Sequence, residues 1–259
     1  MKLRMVPASQ GATWVKMGIR TFFKQPLALA VLFVLFMAAM SALSLVPVLG
    51  PVLALTLLPA ATLGLMVASQ EATKGKFPMP TVLLAAFRAG RQQLRAMLVL
   101  GMLYALALFV VMGLSALVDG GQFARLYLGG GVISQELAQQ ADFQEAALLA
   151  TVLYLPVSLL FWHAPALVHW HGVSPMKSLF FSMVACLRNV WAFTVFGVVW
   201  ALTFVFTALL VATVAVLVAS PDALGVVLLP FGLTMASMFF TSLYFTFDDT
   251  FEVSTGDPA

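Results

Sequence analysis

The chain has 259 residues, of which 62% are apolar and 9% are charged, and its formal net charge is +3. This composition excludes an ordinary soluble domain and is typical of a membrane protein. Membrane topology and anionic headgroups account for the positive charge, so we expect no nucleic-acid partner. The single cysteine, Cys186, excludes an intramolecular disulfide.

Long charge-free windows predict the membrane-spanning helices, because about 20 apolar residues cross the hydrocarbon core of a bilayer. The first window, between Lys24 and Glu71, is long enough for two helices, and its VPVLGP stretch (46–51) favours a chain reversal. Four further windows each hold one helix. The predicted spans lie near 27–46, 52–70, 96–118, 146–168, 192–218 and 225–246.

Twelve of the 13 lysines and arginines lie before span one, between spans two and three, or between spans four and five. Arg125 alone lies on the other side. Because basic residues concentrate in cytoplasmic loops, the sequence predicts that both termini are cytoplasmic.

Three segments that precede odd-numbered spans read as amphipathic helices lying in the membrane surface. The first carries a polar stripe opposite Val15, Ile19 and Phe22: Thr13, Lys16, Arg20 and Lys24. The second carries a polar face opposite Leu83, Phe87, Gly90 and Leu94: Arg88, Arg91, Gln92 and Arg95. The third is more apolar, and its polar line consists of Ser174, Ser178, Ser182 and Asn189.

The longest outer loop covers residues 119–144. Its glycines read as loop punctuation and not as a phosphate loop, because no Lys-Ser/Thr pair follows them. Ser134 is placed to cap a short helix that leads into span four. This loop is where we expect any protein partner to bind.

All three histidines, His163, His169 and His171, lie within nine residues at the end of span four. On a helix, His169 and His171 point apart, so joint metal coordination requires an extended segment there. No carboxylate or cysteine ligand lies nearby, and we therefore expect no metal. Interfacial anchoring is favoured, with a metal site or a proton-linked role as alternatives.

An acidic tail, residues 247–259, follows span six. One hypothesis is that Asp248 and Asp249 pair with Arg20, Arg91 or Arg188 and close a cytoplasmic ring of repeats. The alternative is a solvated, frayed end.

A repeated spacing relates the segments to one another. Four residues recur after 97 positions: Pro59, Gly75, Pro78 and Arg91 reappear as Pro156, Gly172, Pro175 and Arg188. Pro7 and Arg20 precede Pro78 and Arg91 by 71 positions. The predicted fold is therefore an all-α membrane protein, a single domain of six transmembrane helices in three parallel repeats. The repeats cover roughly 7–72, 78–170 and 175–247, and each is an interfacial helix plus a transmembrane hairpin around a pseudo-threefold axis.

The run FWHAPALVHWHGVSPMKSLFFSMVACLRN (161–189) resembles the signature of an uncharacterised family of bacterial six-span integral inner-membrane proteins. In that family an aromatic-x-A-P-x-L segment is followed by G-x-S-P and a small-residue helix ending near Arg-Asn. The matching positions are Trp162, Pro165, Gly172, Pro175, Ser182 and Arg188 in this run, with Arg20 and Pro26 near the N-terminus. The resemblance implies a bacterial inner-membrane protein and brings no activity, substrate or catalytic residue.

The predicted function is non-catalytic. No Asp, Glu, Lys or Arg lies within a predicted span, which disfavours a pump or ion-coupled transporter. GLSA (113–116) lacks the second glycine of a nucleophile elbow, so we expect neither an enzyme nor a cofactor. The sequence favours a membrane scaffold or envelope-organising protein that binds anionic lipids, with Arg20, Arg91 and Arg188 contacting phosphates.

The alternative is a small-molecule or lipid channel or facilitator along the threefold axis. Its polar seam would consist of Tyr154, Ser158, Thr203, Thr207, Thr234, Ser237 and Thr241. Hydroxyls of this kind more commonly serve helix packing.

Overall fold

The computed structural model describes the backbone of residues 2–47, 49–218 and 223–251. Within these ranges the regular structure is helical, apart from an isolated bridge between Leu3 and Phe251. A 3₁₀ turn covers Pro80–Leu84. The α-helices are α1 (Gln10–Lys24), α2 (Pro26–Ser44), α3 (Gly50–Thr73), α4 (Ala85–Arg88), α5 (Arg91–Asp119), α6 (Gln122–Gly129), α7 (Gln135–Gln139), α8 (Ala141–Phe161), α9 (Ala164–His171), α10 (Pro175–Arg188), α11 (Val190–Val218) and α12 (Ala223–Thr250).

Six helical segments of the described chain are long and apolar enough to cross a membrane. They are Pro26–Ser44, Gly50–Thr73, Arg91–Asp119, Ala141–His171, Val190–Val214 and Val227–Thr250. The predicted all-α class and the six predicted spans are confirmed. The largest differences in the starting residues are at α5 and α8, which each begin five residues earlier than predicted.

A proline lies inside the second helix of each predicted hairpin: Pro59 in α3, Pro156 in α8 and Pro230 in α12. Spanning helices tolerate proline because neighbouring groups satisfy the freed backbone carbonyl. Gly75 and Gly172, which the repeat pairs, both have positive φ, 72° and 60°, and follow α3 and α9. These positions agree with the repeat, while the threefold arrangement itself stays a prediction.

The chain divides into two compact units. The described residues of the first lie in 2–37, 62–85 and 185–251, and those of the second lie in 38–61 and 86–184. Helices α2, α3, α4 and α10 contribute residues to both units. The division therefore differs from that into the three predicted repeats.

In the first unit, α1 packs against α11 and α12. Trp14 is fully buried, and the centroid of its ring lies 5.3 Å from that of Phe193. A Cβ added to Gly11 would lie 2.6 Å from the backbone nitrogen of Phe196, and one added to Gly18 would lie 2.7 Å from the Cα of Ser242. The absence of side chains at these glycines therefore lets the helices approach closely.

The segment before α1 is held by backbone hydrogen bonds in the same unit. The Arg4 N–H donates to the Thr250 carbonyl at 2.9 Å. Asn189 holds the segment from a second side, because its Oδ1 accepts from the Val6 N–H at 2.8 Å and its Nδ2 donates to the Arg4 carbonyl at 3.1 Å. The first residues of the chain are thereby joined to the end of α12 and to the junction between α10 and α11.

In the second unit, α5 packs along α8 and also contacts α6 and α9. Tyr104 lies in this contact, where its ring centroid is 5.0 Å from that of Phe161 and its hydroxyl is 3.3 Å from the hydroxyl of Tyr154. A Cβ added to Gly101 would lie 2.9 Å from the carbonyl carbon of Thr56. A glycine again lies where two spanning helices approach each other closely.

The predicted surface helix before span three is not one helix. The 3₁₀ turn at Pro80–Leu84 leads into α4, which ends at Arg88, and α5 begins at Arg91. Between them Gly90 has φ 101° and ψ 162°, a conformation that other residues rarely adopt. Arg91 and Arg95 therefore lie in the first turns of a spanning helix and not on the polar face of a surface helix.

The segment predicted as a surface helix before span five is helical, as α10, but most of its predicted polar line is buried. Ser178 and Ser182 are fully buried, and Asn189 is 2% exposed. The exposed side chains of α10 include Met176, Phe180 and Leu187. Hydroxyl and amide groups can be buried where hydrogen bonds satisfy them, and Ser178, Ser182 and Asn189 all form such bonds.

Candidate functional site

The three arginines predicted to contact lipid phosphates, Arg20, Arg91 and Arg188, all have exposed side chains. Each lies near the start of a spanning helix. Arg20 is six residues before α2, Arg91 is the first residue of α5, and Arg188 is two residues before α11. Arg20 and Arg188 belong to the first unit and Arg91 to the second.

The second unit contains a cleft of about 560 Å³ at the start of α5. One wall is formed by residues 89–93 and Ala96, and the other by Val168 and residues 172–175. The Gln93 side chain donates to the His169 carbonyl at 3.2 Å and so joins α5 to the end of α9. The volume lies within the range of about 300–1,000 Å³ that is usual for small-ligand sites.

The lining of this cleft carries positive charge. Arg91 lies in its wall, and none of the residues that line it is acidic. The N-cap residue of α5 is Gly90, which has no side chain that could cap the helix. The first turn of α5 has no acidic residue. The first backbone N–H groups of a helix lack intrahelical acceptors and carry the positive end of its dipole. The cleft is therefore suited to an anion.

The end of span four is broken at the first histidine. α8 ends at Phe161, and α9 begins at Ala164 with Pro165 in its first turn. The Ser182 Oγ lies between the two helical segments, where it accepts from the His163 N–H at 2.9 Å and donates to the Leu159 carbonyl at 2.8 Å. These two backbone groups would bond to each other in a continuous helix, so Ser182 is inserted into the helical ladder.

The structure places the three histidines in different surroundings. His163 is fully buried, whereas His169 and His171 are partly exposed in α9, and the interfacial position of the histidines stays a prediction. Because residues 169–171 are helical, His169 and His171 point apart and lack the extended backbone that joint coordination requires. Among the described residues, no group of three or more metal-ligating side chains lies close enough together to hold an ion.

Asp248 and Asp249 belong to the last turns of α12, which continues to Thr250, and not to a frayed tail. The Asp249 Oδ2 accepts from Gln10 Nε2 at 2.5 Å and from Trp14 Nε1 at 2.7 Å. Asp248 accepts from the Tyr244 hydroxyl at 3.1 Å. Pairing with Arg20, Arg91 or Arg188 stays a prediction, and residues 252–259 of the predicted tail lie outside the described residues.

The hydroxyls proposed as a polar seam bond mostly within their own helices. Thr203, Thr234 and Thr241 each donate to the carbonyl four residues earlier. Thr207 donates to Thr203, and Ser158 donates to Leu155. Ser237 bonds across to the Leu29 carbonyl at 3.1 Å. These bonds favour the use of the hydroxyls in helix packing.

The outer loop contains two short helices. The Ser134 Oγ accepts from the Leu137 N–H at 3.2 Å, so the predicted cap of α7 is confirmed. α6 was not predicted, because the glycines around it suggested an irregular loop. Asp119 caps its start by accepting from the Gly121 and Phe123 N–H groups at 2.8 and 2.6 Å. A protein partner of this loop stays a proposal.

Cys186 lies in α10, outside the spanning segments. It is buried, and burial raises the pKa of its thiol to about 12. A thiol with such a pKa stays protonated at neutral pH and is a poor nucleophile. Cys186 therefore behaves as a small packing residue.

Sequence reasoning found Arg91 but missed the cleft beside it, the insertion of Ser182 and the bond from Trp14 to Asp249. Two signals were available. Gly90 directly precedes Arg91, and a lone glycine in a helical pattern indicates a break. Pro165 indicates a helix start, because proline is favoured in the first turn of a helix.

The fold and the position of its charges define an all-helical integral membrane protein with six helices capable of spanning a bilayer. No protein-family model matches the sequence, and no solved structure matches it either. A probable inner membrane protein of Burkholderia thailandensis is 39% identical over 257 residues, a match that covers 98% of this chain and 95% of the relative. The chain belongs to the same family as that protein, as its resemblance to uncharacterised bacterial membrane proteins predicted.

Proposed function

We propose that this protein is a non-catalytic scaffold of the bacterial inner membrane that binds anionic lipid headgroups through basic residues at the starts of its spanning helices. The observation that carries this proposal is the position of Arg20, Arg91 and Arg188. All three are exposed, and each lies within six residues of the start of a spanning helix. Exposed cations at this depth attract anionic phospholipids.

Two further findings support the proposal. The relative in Burkholderia thailandensis is described as a probable inner membrane protein, and we assign the same location to this chain. Lysines and arginines also cluster before and between the predicted spans on one side, which favours cytoplasmic termini. The three arginines would then face the same leaflet, whose surface is negatively charged.

The proposal is tested by the lipids that the purified protein retains. The full chain and a triple variant, Arg20→Gln, Arg91→Gln and Arg188→Gln, would be placed in bilayer nanodiscs containing phosphatidylglycerol and phosphatidylcholine. Native mass spectrometry of the released protein counts the bound lipids. Each basic residue near an anionic surface contributes about 1 kcal/mol, or roughly fivefold in affinity. We expect the triple variant to lose most of its bound phosphatidylglycerol.

A second triple variant provides the matched control, because Lys24→Gln, Arg88→Gln and Arg95→Gln remove the same charge from exposed residues of the same segments. A smaller loss in this control supports specific contacts at Arg20, Arg91 and Arg188. An equal loss of bound phosphatidylglycerol in both variants would show that binding depends on net charge and not on these three positions. Unchanged phosphatidylglycerol binding in both variants would contradict the proposed function.

The scaffold and the channel alternative differ in solute flux. A scaffold in sealed vesicles leaves the permeability to small solutes unchanged, and mild extraction from its own membrane recovers bound lipid or a stable partner. The own-helix hydrogen bonds of Thr203, Thr234 and Thr241 favour this outcome. Protein-dependent flux of a solute would instead support a facilitator.

A further inference from the structure

We propose that the cleft at the start of α5 is a discrete site for the phosphate of one anionic phospholipid headgroup. This inference rests on the proposed function and deepens it, because it assigns to Arg91 a shaped site that an exposed cation alone does not provide. The cleft of about 560 Å³, the charge in its lining and its position at the ends of two spanning segments carry the inference.

The lining of the cleft matches the two parts of a phospholipid headgroup. Polar groups come from Arg91, Gln92 and Ser174, while Ala96 and Val168 add apolar surface. An arginine guanidinium binds phosphate oxygens with two parallel hydrogen bonds. The backbone N–H groups at the start of α5 add donors of the kind that bind phosphate. The apolar residues are suited to the glycerol and upper acyl carbons.

The depth of the cleft favours a lipid over a soluble phosphate. Arg91 begins one spanning segment and His171 ends another, and the bond from Gln93 to the His169 carbonyl brings these two ends together. The ends of spanning helices lie at the level of the headgroups. A lipid therefore reaches the cleft from the bilayer without leaving its leaflet.

The charge of the lining favours an anionic lipid over a zwitterionic one. None of the lining residues is acidic, so none offers a carboxylate to a choline or ethanolamine ammonium group. A headgroup that brings such an ammonium next to Arg91 would meet like charge, which weakens binding. Phosphatidylglycerol brings its phosphate without a cation.

Arg95 provides a matched control for Arg91. It lies one turn later on α5 and is also exposed, but it does not line the cleft. If lipids bind only through general attraction to an anionic surface, lipid affinity should depend on both arginines to a similar extent. A site in the cleft depends on Arg91 alone.

The test measures lipid binding to the full chain by native mass spectrometry, with phosphatidylglycerol titrated against phosphatidylcholine. We expect one phosphatidylglycerol to bind more tightly than the rest. Arg91→Gln should weaken this one lipid at least tenfold, and Arg95→Gln should change it less than twofold. Gln92→Glu keeps Arg91 but adds a carboxylate to the lining, and it should also weaken the lipid at least fivefold. Thermal melting of each variant checks that it is folded.

Each outcome decides between the two proposals. Equal weakening by Arg91→Gln and Arg95→Gln would overturn the cleft site while leaving the general binding of anionic lipid intact. No preference for phosphatidylglycerol in any protein would overturn both. Inorganic phosphate at millimolar concentration provides a third arm. Displacement of the tight lipid by phosphate would show a site for phosphate in general and would overturn its selectivity for a lipid headgroup.

Discussion

Helices α1 and α10 both precede a spanning helix and both carry polar residues along one line, yet the two lines face opposite environments. In α1, the side chains of Lys16, Arg20 and Lys24 are exposed while Trp14 is fully buried. In α10, Ser178 and Ser182 are buried, and the exposed side chains include Met176, Phe180 and Leu187. The basic stripe of α1 therefore faces outwards, whereas the line of Ser178 and Ser182 in α10 faces inwards.

The type of polar group explains the difference. A lysine or arginine is costly to bury without a partner, so a stripe of them faces outwards. A serine needs only one or two hydrogen bonds, which a neighbouring backbone can supply, and in a membrane protein the outside is apolar. A periodic line of serines between apolar faces thus indicates an internal contact at least as well as a solvated face.

The largest effect is expected where α1 packs most closely. Gly11→Ala would overlap the carbonyl oxygen of Ala192 and place a Cβ 2.6 Å from the Phe196 nitrogen. Because both obstacles are backbone atoms, the helices must separate, and overpacking of this kind costs about 1–3 kcal/mol or more. We expect a loss of about 2 kcal/mol or more in the free energy of unfolding, measured by titration with sodium dodecyl sulfate.

Gly197→Ala is the matched control for Gly11→Ala. Gly197 lies in α11, the helix that Gly11 approaches, and nothing lies within 4 Å of its added Cβ. Alanine favours a helix over glycine by about 1 kcal/mol, so this variant should be as stable as the wild type or more so. Equal free energies of unfolding for the two variants would refute the close packing of α1.

The next largest loss of stability is expected at the buried serines of α10. Ser182→Ala removes the hydrogen bonds to the His163 N–H and the Leu159 carbonyl, and the loss of a hydrogen-bond partner at a buried site costs about 1–3 kcal/mol. We expect a loss of about 2 kcal/mol in the free energy of unfolding, because partial closure of the helical ladder offsets some of the cost. Ser178→Ala should cost less than about 0.5 kcal/mol, because the Ser178 hydroxyl bonds to the Pro175 carbonyl within its own helix. A loss of stability in Ser178→Ala as large as that in Ser182→Ala would contradict the bridging role of Ser182.

A smaller effect concerns the contact between α1 and α12. Asp249→Ala removes the acceptor of Gln10 and Trp14, and we expect it to cost about 1.5 kcal/mol. Asp249→Asn keeps one carbonyl acceptor and should cost less than half as much. If Asp249 were instead held by arginines, the asparagine and alanine variants would be equally unstable, and high salt would weaken the wild type.

The smallest effect is expected on the outward face of α1. Lys16→Gln and Arg20→Gln change exposed charges and should alter the free energy of unfolding by less than about 0.5 kcal/mol. The same substitutions should still reduce the retention of phosphatidylglycerol. A large loss of stability here would show that the charges serve folding and not lipid binding.

Much of the fold was predictable from the sequence, because hydropathy decides which segments enter a bilayer. The six spans, the prolines of α3, α8 and α12 and the cap at Ser134 all follow from composition and local spacing. The break at His163 was not predicted, since it depends on the distant residue Ser182. The cleft was missed for a similar reason, because its shape depends on the bond between Gln93 and the backbone of His169. Local patterns identify Arg91 as a cation but do not show which residues face it.

The partners of α1 have a consequence for the order of assembly. α1 leaves the ribosome before α11 and α12, yet it packs on both of them, and Arg4 bonds to Thr250 at the end of α12. Its apolar face, centred on Trp14, therefore lacks these partners while the intervening spans are inserted. The membrane surface is the nearest apolar environment for that interval. α1 is thus translated before α11 and α12 but can pack only after them.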